Sequence, residues 1–434
     1  MSMKSVLMIS PYFVPRRRVG ALRTFKFAIH LKDYGYNPVI LTIKDDQRLA
    51  SEAEKKLLSE LDVIELSSPV DRTVQKKNRT DKEENSGRLT GNIADWIDRH
   101  TPSDTWIYFY LFHYFKVMRY AVSSKPDIVW ATGDPWSSLV LGSLVARKLS
   151  VPFVCDFRDP WTRSGISLRD RSSFSRYWDK KLEENVLRLA SKVVFTSGTA
   201  EKDYLENFNS LEGKTCVIYN AANDQIHSKR EDSDDPVNSF KSGDLNITFF
   251  GTFRRLSPIE PAADILTKLR DQSPESFSKV KIHSFGEPDA EQLSYIRLQE
   301  VEEQFIFHQK VKPEQGARVL QQSDVLLLST HPERGNIVPA KLWDYLITDV
   351  PILSIVPNPE VEEIIKEFQA GEHVRPGELA NAAGIISEWA SKKTVEGAKS
   401  LRREPLSDAQ KKKIGSRRKA EELAGIFDQI TEHD

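Results

Sequence analysis

Residues 336–353 read NIVPAKLWDYLITDVPIL: an irregular stretch entered from Gly335 and carrying Pro339, a short helical pattern, then an apolar strand. A turn that hands over to a helix with proline near its first position leaves several backbone N–H groups unused by the helix, and such groups attract anions. Lys341 and Asp344 follow three residues apart, on one helical face. That spacing offers an ammonium to phosphate and a carboxylate to a ribose diol. An ordinary strand-loop-helix corner with a solvated Lys and Asp carries the same local pattern. The surrounding chain decides between them.

On either side of this stretch, apolar strand-like runs alternate with helical ones, the pattern of a parallel sheet wound on both faces. In the first half the runs fall at 6–10, 38–43, 62–66, 127–133, 152–157 and 192–197, and in the second at 245–251, 281–286, 305–311, 324–329 and 351–356. After the first run, PYFVPRRRVGAL forms a loop ending at Gly20, and a helix marked by Leu22, Phe25, Ile29 and Lys32 stops at Gly35. Two polar tracts interrupt the pattern, 71–92 and 228–244. The first reads as a loop and the second as a linker. The expected organisation is an N-terminal α/β domain at 1–227, the linker at 228–244, a C-terminal α/β domain at 245–406, and a charged helix at 407–434 that packs back. Two doubly wound units of similar size imply a cleft between them, with ligands beyond the carboxyl ends of the strands.

Composition narrows the class. With 434 residues, 39% hydrophobic and 29% charged, the chain has enough apolar surface for two cores and belongs with soluble globular proteins. Cys155 and Cys216 are its two cysteines, too few for a disulfide framework or a thiolate metal cage, which fits a reducing cytoplasm. The first strand begins almost at the N-terminus with no apolar leader before it, so no signal peptide is expected. Charge is divided unevenly: residues 1–220 hold 34 basic against 27 acidic side chains, and the remainder 28 against 36. That density is far from a nucleic-acid reader's, and no nucleic-acid partner is expected. The carboxylates of Asp232 to Asp235 sit in the polar linker rather than at a strand end, so no metal is expected from them.

Read in order, several blocks resemble the family-4 glycosyltransferases of GT-B architecture: SVLMISPYFVPRRRVGALRTFKFAIHLKDYGYNPVILT, DIVWATGDPWSSLVLGSLVARKLSVPFVCDFRDPW, ITFFGTF and IVPAKLWDYLITDVPILSIV. The resemblance implies two Rossmann-like domains facing a cleft and transfer of a sugar from a nucleotide-sugar donor with retention of configuration. It implies a glycan or lipid-linked acceptor, no cofactor and no metal. Carried over by position, Gly20 would let the first loop approach the donor diphosphate, with Arg23 one turn into the helix. Asp344 would hold ribose hydroxyls, the backbone of Ile337 and Val338 would face the diphosphate, and His308 to Val311 would line the base. Lys341 would meet phosphate.

The chain departs from the family pattern in two places. Where relatives carry two glutamates eight residues apart, it has Asn336 and Asp344. Where relatives carry Arg and then Lys after the glycine of the first C-domain strand, it reads Gly251 and then TFRRLSPIE, so Arg254 and Arg255 are left to clamp the leaving diphosphate. In DFRDPW, Arg158 would contact the donor and Asp159 the acceptor hydroxyl, unless the two pair and only shape the loop.

Residues 106–122 place Leu111, Phe115, Met118 and Val122 on one helical stripe and His113, Lys116 and Tyr120 opposite. The segment reads either as an interior helix or as an interfacial one resting on the inner leaflet, assisted by Arg16, Arg17 and Arg18. A cytoplasmic enzyme with peripheral membrane contact is the matching expectation. Two competing functions share the fold: a sugar-nucleotide epimerase, and a nucleotide-binding scaffold without turnover. A dinucleotide oxidoreductase is disfavoured because no G-x-G-x-x-G follows the first strand.

Overall fold

A computed structural model describes residues 3–15, 19–44, 52–67, 88–168, 170–222, 239–311 and 313–432. The Arg16–Arg18 run, most of the 71–92 tract, the linker up to residue 238 and the Asp232–Asp235 carboxylates lie outside the described residues. The chain divides into two compact units, residues 1–220 with 416–434, and residues 221–415.

The N-terminal unit is built on seven parallel strands in the order β3-β2-β1-β4-β5-β6-β7. They are β1 (Lys4–Ile9), β2 (Tyr36–Ile43), β3 (Asp62–Leu66), β4 (Ile128–Gly133), β5 (Phe153–Phe157), β6 (Lys192–Phe195) and β7 (Thr215–Val217). Alternation along β1 feeds two cores. Leu7 and Ile9 pack with helices Trp106–Ser124 and Ser137–Leu149, while Val6 and Met8 pack with helices Val19–Leu31 and Ser416–Thr431. A sheet covered on both faces is what the near-continuous apolar strands require. Helix Val19–Leu31 passes into a short 3-10 turn and ends at Gly35, whose φ of 84° is a left-handed cap that costs glycine nothing.

The C-terminal unit holds six parallel strands in the order β10-β9-β8-β11-β12-β13. These are β8 (Leu245–Phe249), β9 (Val280–Phe285), β10 (Phe305–His308), β11 (Val325–Ser329), β12 (Ile352–Ile355) and β13 (Gly371–His373). The strand order reverses between β8 and β11, so loops leaving the carboxyl ends there diverge and open a crevice for a ligand.

Three expectations are corrected. The chain ends in two helices, Asp408–Ile414 and Ser416–Thr431, separated by Gly415 in extended backbone (ψ 157°); the first belongs to the C-terminal unit and the second to the N-terminal one. Two edge strands, β7 and β13, carry too few residues to show a period. On helix Trp106–Ser124, Met118 is buried together with Phe109, His113 and Val117, whereas Leu111, Phe115 and Val122 point outward with Tyr108 and Phe112. His113 can face inward because its Nε2 pairs with the carbonyl oxygen of Ser67 at 2.9 Å.

Candidate functional site

In the C-terminal unit, residues predicted from sequence gather where β8, β9 and β10 end. β8 and β9 each run into a glycine with positive φ, Gly251 at 138° and Gly286 at 145°. At both, a side chain is also excluded by space. A β-carbon on Gly286 would lie 1.9 Å from Oγ1 of Thr252, and one on Gly251 would lie 2.8 Å from Nζ of Lys341. Lys341, the first residue of the six-residue helix Lys341–Leu346, therefore reaches back over the end of β8. Its ammonium stands 3.9 Å from the centroid of the Phe249 ring. Burial, with the Arg254 charge nearby, pulls its pKa down to about 7. Among the described residues, no carboxylate and no hydrogen-bond acceptor partners it.

The helix is pinned from below. The Phe250 N–H donates to Oη of Tyr345 at 3.0 Å, and Tyr345 is fully buried. Asp344, half-buried, lies on the same short helix one turn from Lys341. Asn336 is also half-buried, while the side chains of Ile337 and Val338 sit in the core. The Ile337 N–H is committed to the carbonyl of Arg334 at 3.3 Å. Arg254 and Arg255 are both exposed in a tight loop closed by paired backbone bonds between Arg254 and Ser257. Arg254 couples electrostatically to Lys341.

His308 ends β10, its ring stacked on Phe285 at 4.5 Å and 12°. Val311 packs on the small cluster formed by Phe285 and Val319, together with Phe240 and Phe250. Behind His308 runs a polar chain that the sequence did not announce. His308 Nε2 lies 3.0 Å from Nδ1 of His283, whose Nε2 lies 3.1 Å from Oδ1 of Asn246. Asn246 is tied to Asp324, which forms a buried ion pair with Lys393 at 2.5 Å.

In the N-terminal unit the predicted Arg158, Gly20 and Arg23 form a second group at the ends of β4 and β5. Arg158 donates from Nε to Thr132 Oγ1 at 3.0 Å and pairs with Asp134 at 3.4 Å, rather than with Asp159. Its guanidinium occupies the space a Gly20 side chain would take, 1.8 Å from the position of that β-carbon. Thr132 in turn donates to Asp156 at 2.7 Å, and Asp156 receives Arg23 at 2.7 Å. Arg23 also donates to the carbonyls of Ile218 and Tyr219, so its charge is consumed inside the fold. Asp156 escaped notice in the sequence although a carboxylate within the buried strand FVCDF requires a cation. Among the described residues, no group of three or more His, Cys, Asp or Glu could hold a metal ion.

The sequence model of Glycosyltransferase Family 4 matches residues 24–225. The structure resembles sucrose-phosphate synthase from Thermosynechococcus elongatus (TM-score 0.64, 14% identity, covering 99% of this chain and 100% of that one). It also resembles Anabaena HepE in complex with UDP (0.61, 16%, 98% and 100%) and a glycosyltransferase from Rickettsia africae (0.58, 15%, 100% and 100%). The chain has the GT-B fold, and just under half of it is similar to Glycosyltransferase Family 4. Comparison with curated protein sequences gives no match. The matched segment contains Thr132, Asp156 and Arg158 and begins one residue after Arg23, whereas Lys341 and His308 lie outside it.

Proposed function

We propose that the protein is a glycosyltransferase whose C-terminal unit binds a nucleoside diphosphate sugar, with Lys341 and Arg254 against the diphosphate. One observation carries this reading: a half-buried, desolvated ammonium, Lys341, that has no anionic partner among the described residues and sits at a glycine corner beside Arg254. A buried cation without a counterion costs stability, and an anionic ligand supplies the missing charge. Lys341 thereby stands in for the lysine absent after Arg254. Asp344 and Asn336 would hold sugar or ribose hydroxyls.

In the reaction, the bond from the anomeric carbon to the β-phosphate oxygen breaks and the acceptor hydroxyl oxygen bonds to that carbon. The hydroxyl proton passes to the departing diphosphate, whose growing charge the two cations stabilise. We assign retention, a hexosyl donor and independence from metal to the same reading. UDP-sugars are the first donors to test, since the HepE structure contains UDP. Calorimetry and release of the nucleoside diphosphate, with UDP-, GDP- and dTDP-sugars and with EDTA present, should give binding and slow hydrolysis; silence with all three donors defeats the reading. The anomeric signals of the product decide retention, and conversion of donor to an epimer without acceptor would make the protein an epimerase.

We also infer a lipid-linked acceptor and a cytoplasmic, membrane-peripheral location. Helix Trp106–Ser124 contains no acidic residue, and it exposes Phe112 (72%) and Phe115 (82%) beside Lys116 and Arg119. Trp96 and Phe174 are exposed on the neighbouring helices Arg88–His100 and Ser173–Leu189. The three helices are tied at one turn, where Ser172 and Ser175 donate to the Arg99 carbonyl and Thr101 bonds Tyr108. Aromatics set among cations suit an anionic lipid surface. No helix of the described residues is long and apolar enough to cross a membrane. Vesicles of phosphatidylglycerol with phosphatidylcholine should sediment the protein, and the Phe112→Ser/Phe115→Ser variant should stay in solution. Indifference to the vesicles, or a dimer that hides these residues, removes the inference.

A further inference from the structure

We propose that His308 reads the donor base through an unprotonated Nδ1, so that the site takes bases with a ring N–H, uracil, thymine or guanine, and refuses cytosine and adenine. This rests on the donor-site reading above and extends it along the same sheet end: His308 closes β10, two strands from β8 where Lys341 sits, the side on which the resemblance puts the base.

One hydrogen-bond chain runs outward from the core to His308. Nδ2 of Asn246 lies 3.0 Å from the carbonyl of Lys241, 3.1 Å from that of Asp244 and 3.1 Å from Oδ2 of Asp324. Three acceptors around one atom identify it as the amide nitrogen. Its partner atom is therefore the oxygen, which accepts from His283, so the His283 proton is on Nε2. His283 is wholly buried and its pKa is pushed down to about 3, by burial first and then by His308 and Lys281. A neutral imidazole has one N–H, which leaves Nδ1 of His283 as an acceptor. The atom facing it at 3.0 Å, Nε2 of His308, must then donate.

Burial lowers the pKa of His308 as well, so its ring is neutral and its single proton is spent on His283. Nδ1 of His308 carries a lone pair, and no described residue donates to it. Phe285 covers one face of the ring and fixes its plane. N3–H of uracil or thymine and N1–H of guanine can donate to that lone pair. N3 of cytosine and N1 of adenine are acceptors, and two acceptors set against each other leave both unsatisfied, a loss of about tenfold or more in affinity. Asp324 and Lys393 are positioning residues here: their ion pair orients Asn246, and Asn246 sets the direction of the whole chain.

Two measurements on the full chain test this. Titration calorimetry at pH 7.5 with UDP, dTDP, GDP, CDP and ADP should give at least about tenfold tighter binding for the first three. His308→Phe, which keeps the stack and removes the acceptor, should bring all five within about threefold of one another. CDP or ADP binding as tightly as UDP, or a preference that survives in His308→Phe, overturns the proposal and leaves the donor site standing. Silence with all five nucleotides defeats the donor site itself and this inference with it. Nitrogen-15 spectra of the imidazoles read the tautomers without any ligand: Nε2–H on both His283 and His308 is expected, and a proton on Nδ1 of either contradicts the chain.

Discussion

The ammonium of Lys341 lies 3.9 Å from the centre of the Phe249 ring, over the end of the central strand β8, with the Gly251 backbone and the Arg254 charge as its other neighbours. A ring face is a weak partner for a desolvated cation compared with a carboxylate or phosphate. The site is thus poised to gain a proton and an anion together.

Lys341 makes donor binding depend on pH. Its pKa of about 7 in the free protein means that the ammonium is already largely neutral at pH 8, and a bound diphosphate restores the proton. Affinity for a nucleotide sugar should fall between pH 7 and 9 by up to about tenfold per unit, and Lys341→Met should bind weakly and without that slope. Stability of the free protein has the opposite sign. The unfolded lysine keeps its proton up to about pH 10.4, so stability should rise from pH 7 upward in the wild type but not in the variant. Calorimetry and melting curves across this range check both.

Arg23 and Asp156 form a pair buried from water on both sides. Arg23→Met strands a carboxylate in β5 and should cost about 3–5 kcal/mol in urea unfolding of the N-terminal unit. Replacing both partners with apolar residues should restore much of that loss, because no uncompensated charge remains.

Gly20 and Arg158 compete for one volume. In Gly20→Ala the new methyl group must displace the guanidinium, breaking its bonds to Thr132 and Asp134. The variant should fold but lose transfer activity, and Gly20→Ala/Arg158→Ala should show a coupling of about 0.5–3 kcal/mol in a stability cycle with the single variants. Strict additivity would separate the two residues.

Glu183 sets a second pH dependence. The carboxyl is buried and accepts from Tyr204 at 2.5 Å and from Thr162, yet burial lifts its pKa to about 7. Because the folded value is raised, the folded state holds the proton more tightly. The corresponding stability is complete below about pH 4.3, the ordinary glutamate value, and lost as pH rises through 7. Melting curves at pH 5 and pH 8 should differ more in the wild type than in Glu183→Gln.

The central strands are legible in the sequence because β4, β5 and β8 are apolar runs buried on both faces, and β3 coincides with the expected 62–66 although only Leu66 in it is fully buried. β13, reading GEH, offers no such signal. Helix Trp106–Ser124 is apolar nearly all round, so periodicity cannot choose its buried face; the carbonyl available to His113 does. Lys341, His308 and Arg254 are legible as residues but not in their settings. A sequence does not show that Lys341 reaches back to Phe249 across 92 residues, or that Asn246 and His283, from separate strands, fix the tautomer of His308. Such pairings are long-range and depend on register.

The helix Ser416–Thr431 seals the N-terminal core, with Phe427 against the Tyr36 ring and Asp428 accepting from its hydroxyl at 2.6 Å. Of the two units, the one whose synthesis starts earlier is therefore completed later, since it must wait through all of residues 221–415 for its missing wall. During that interval Phe25, Phe27 and Leu31 lack the cover that Ala420, Leu423 and Phe427 give them, which leaves apolar surface open to aggregation. Expression of residues 1–220 alone should yield aggregate, and supplying 416–434 through a short linker after residue 220 should return a soluble, independently folding domain.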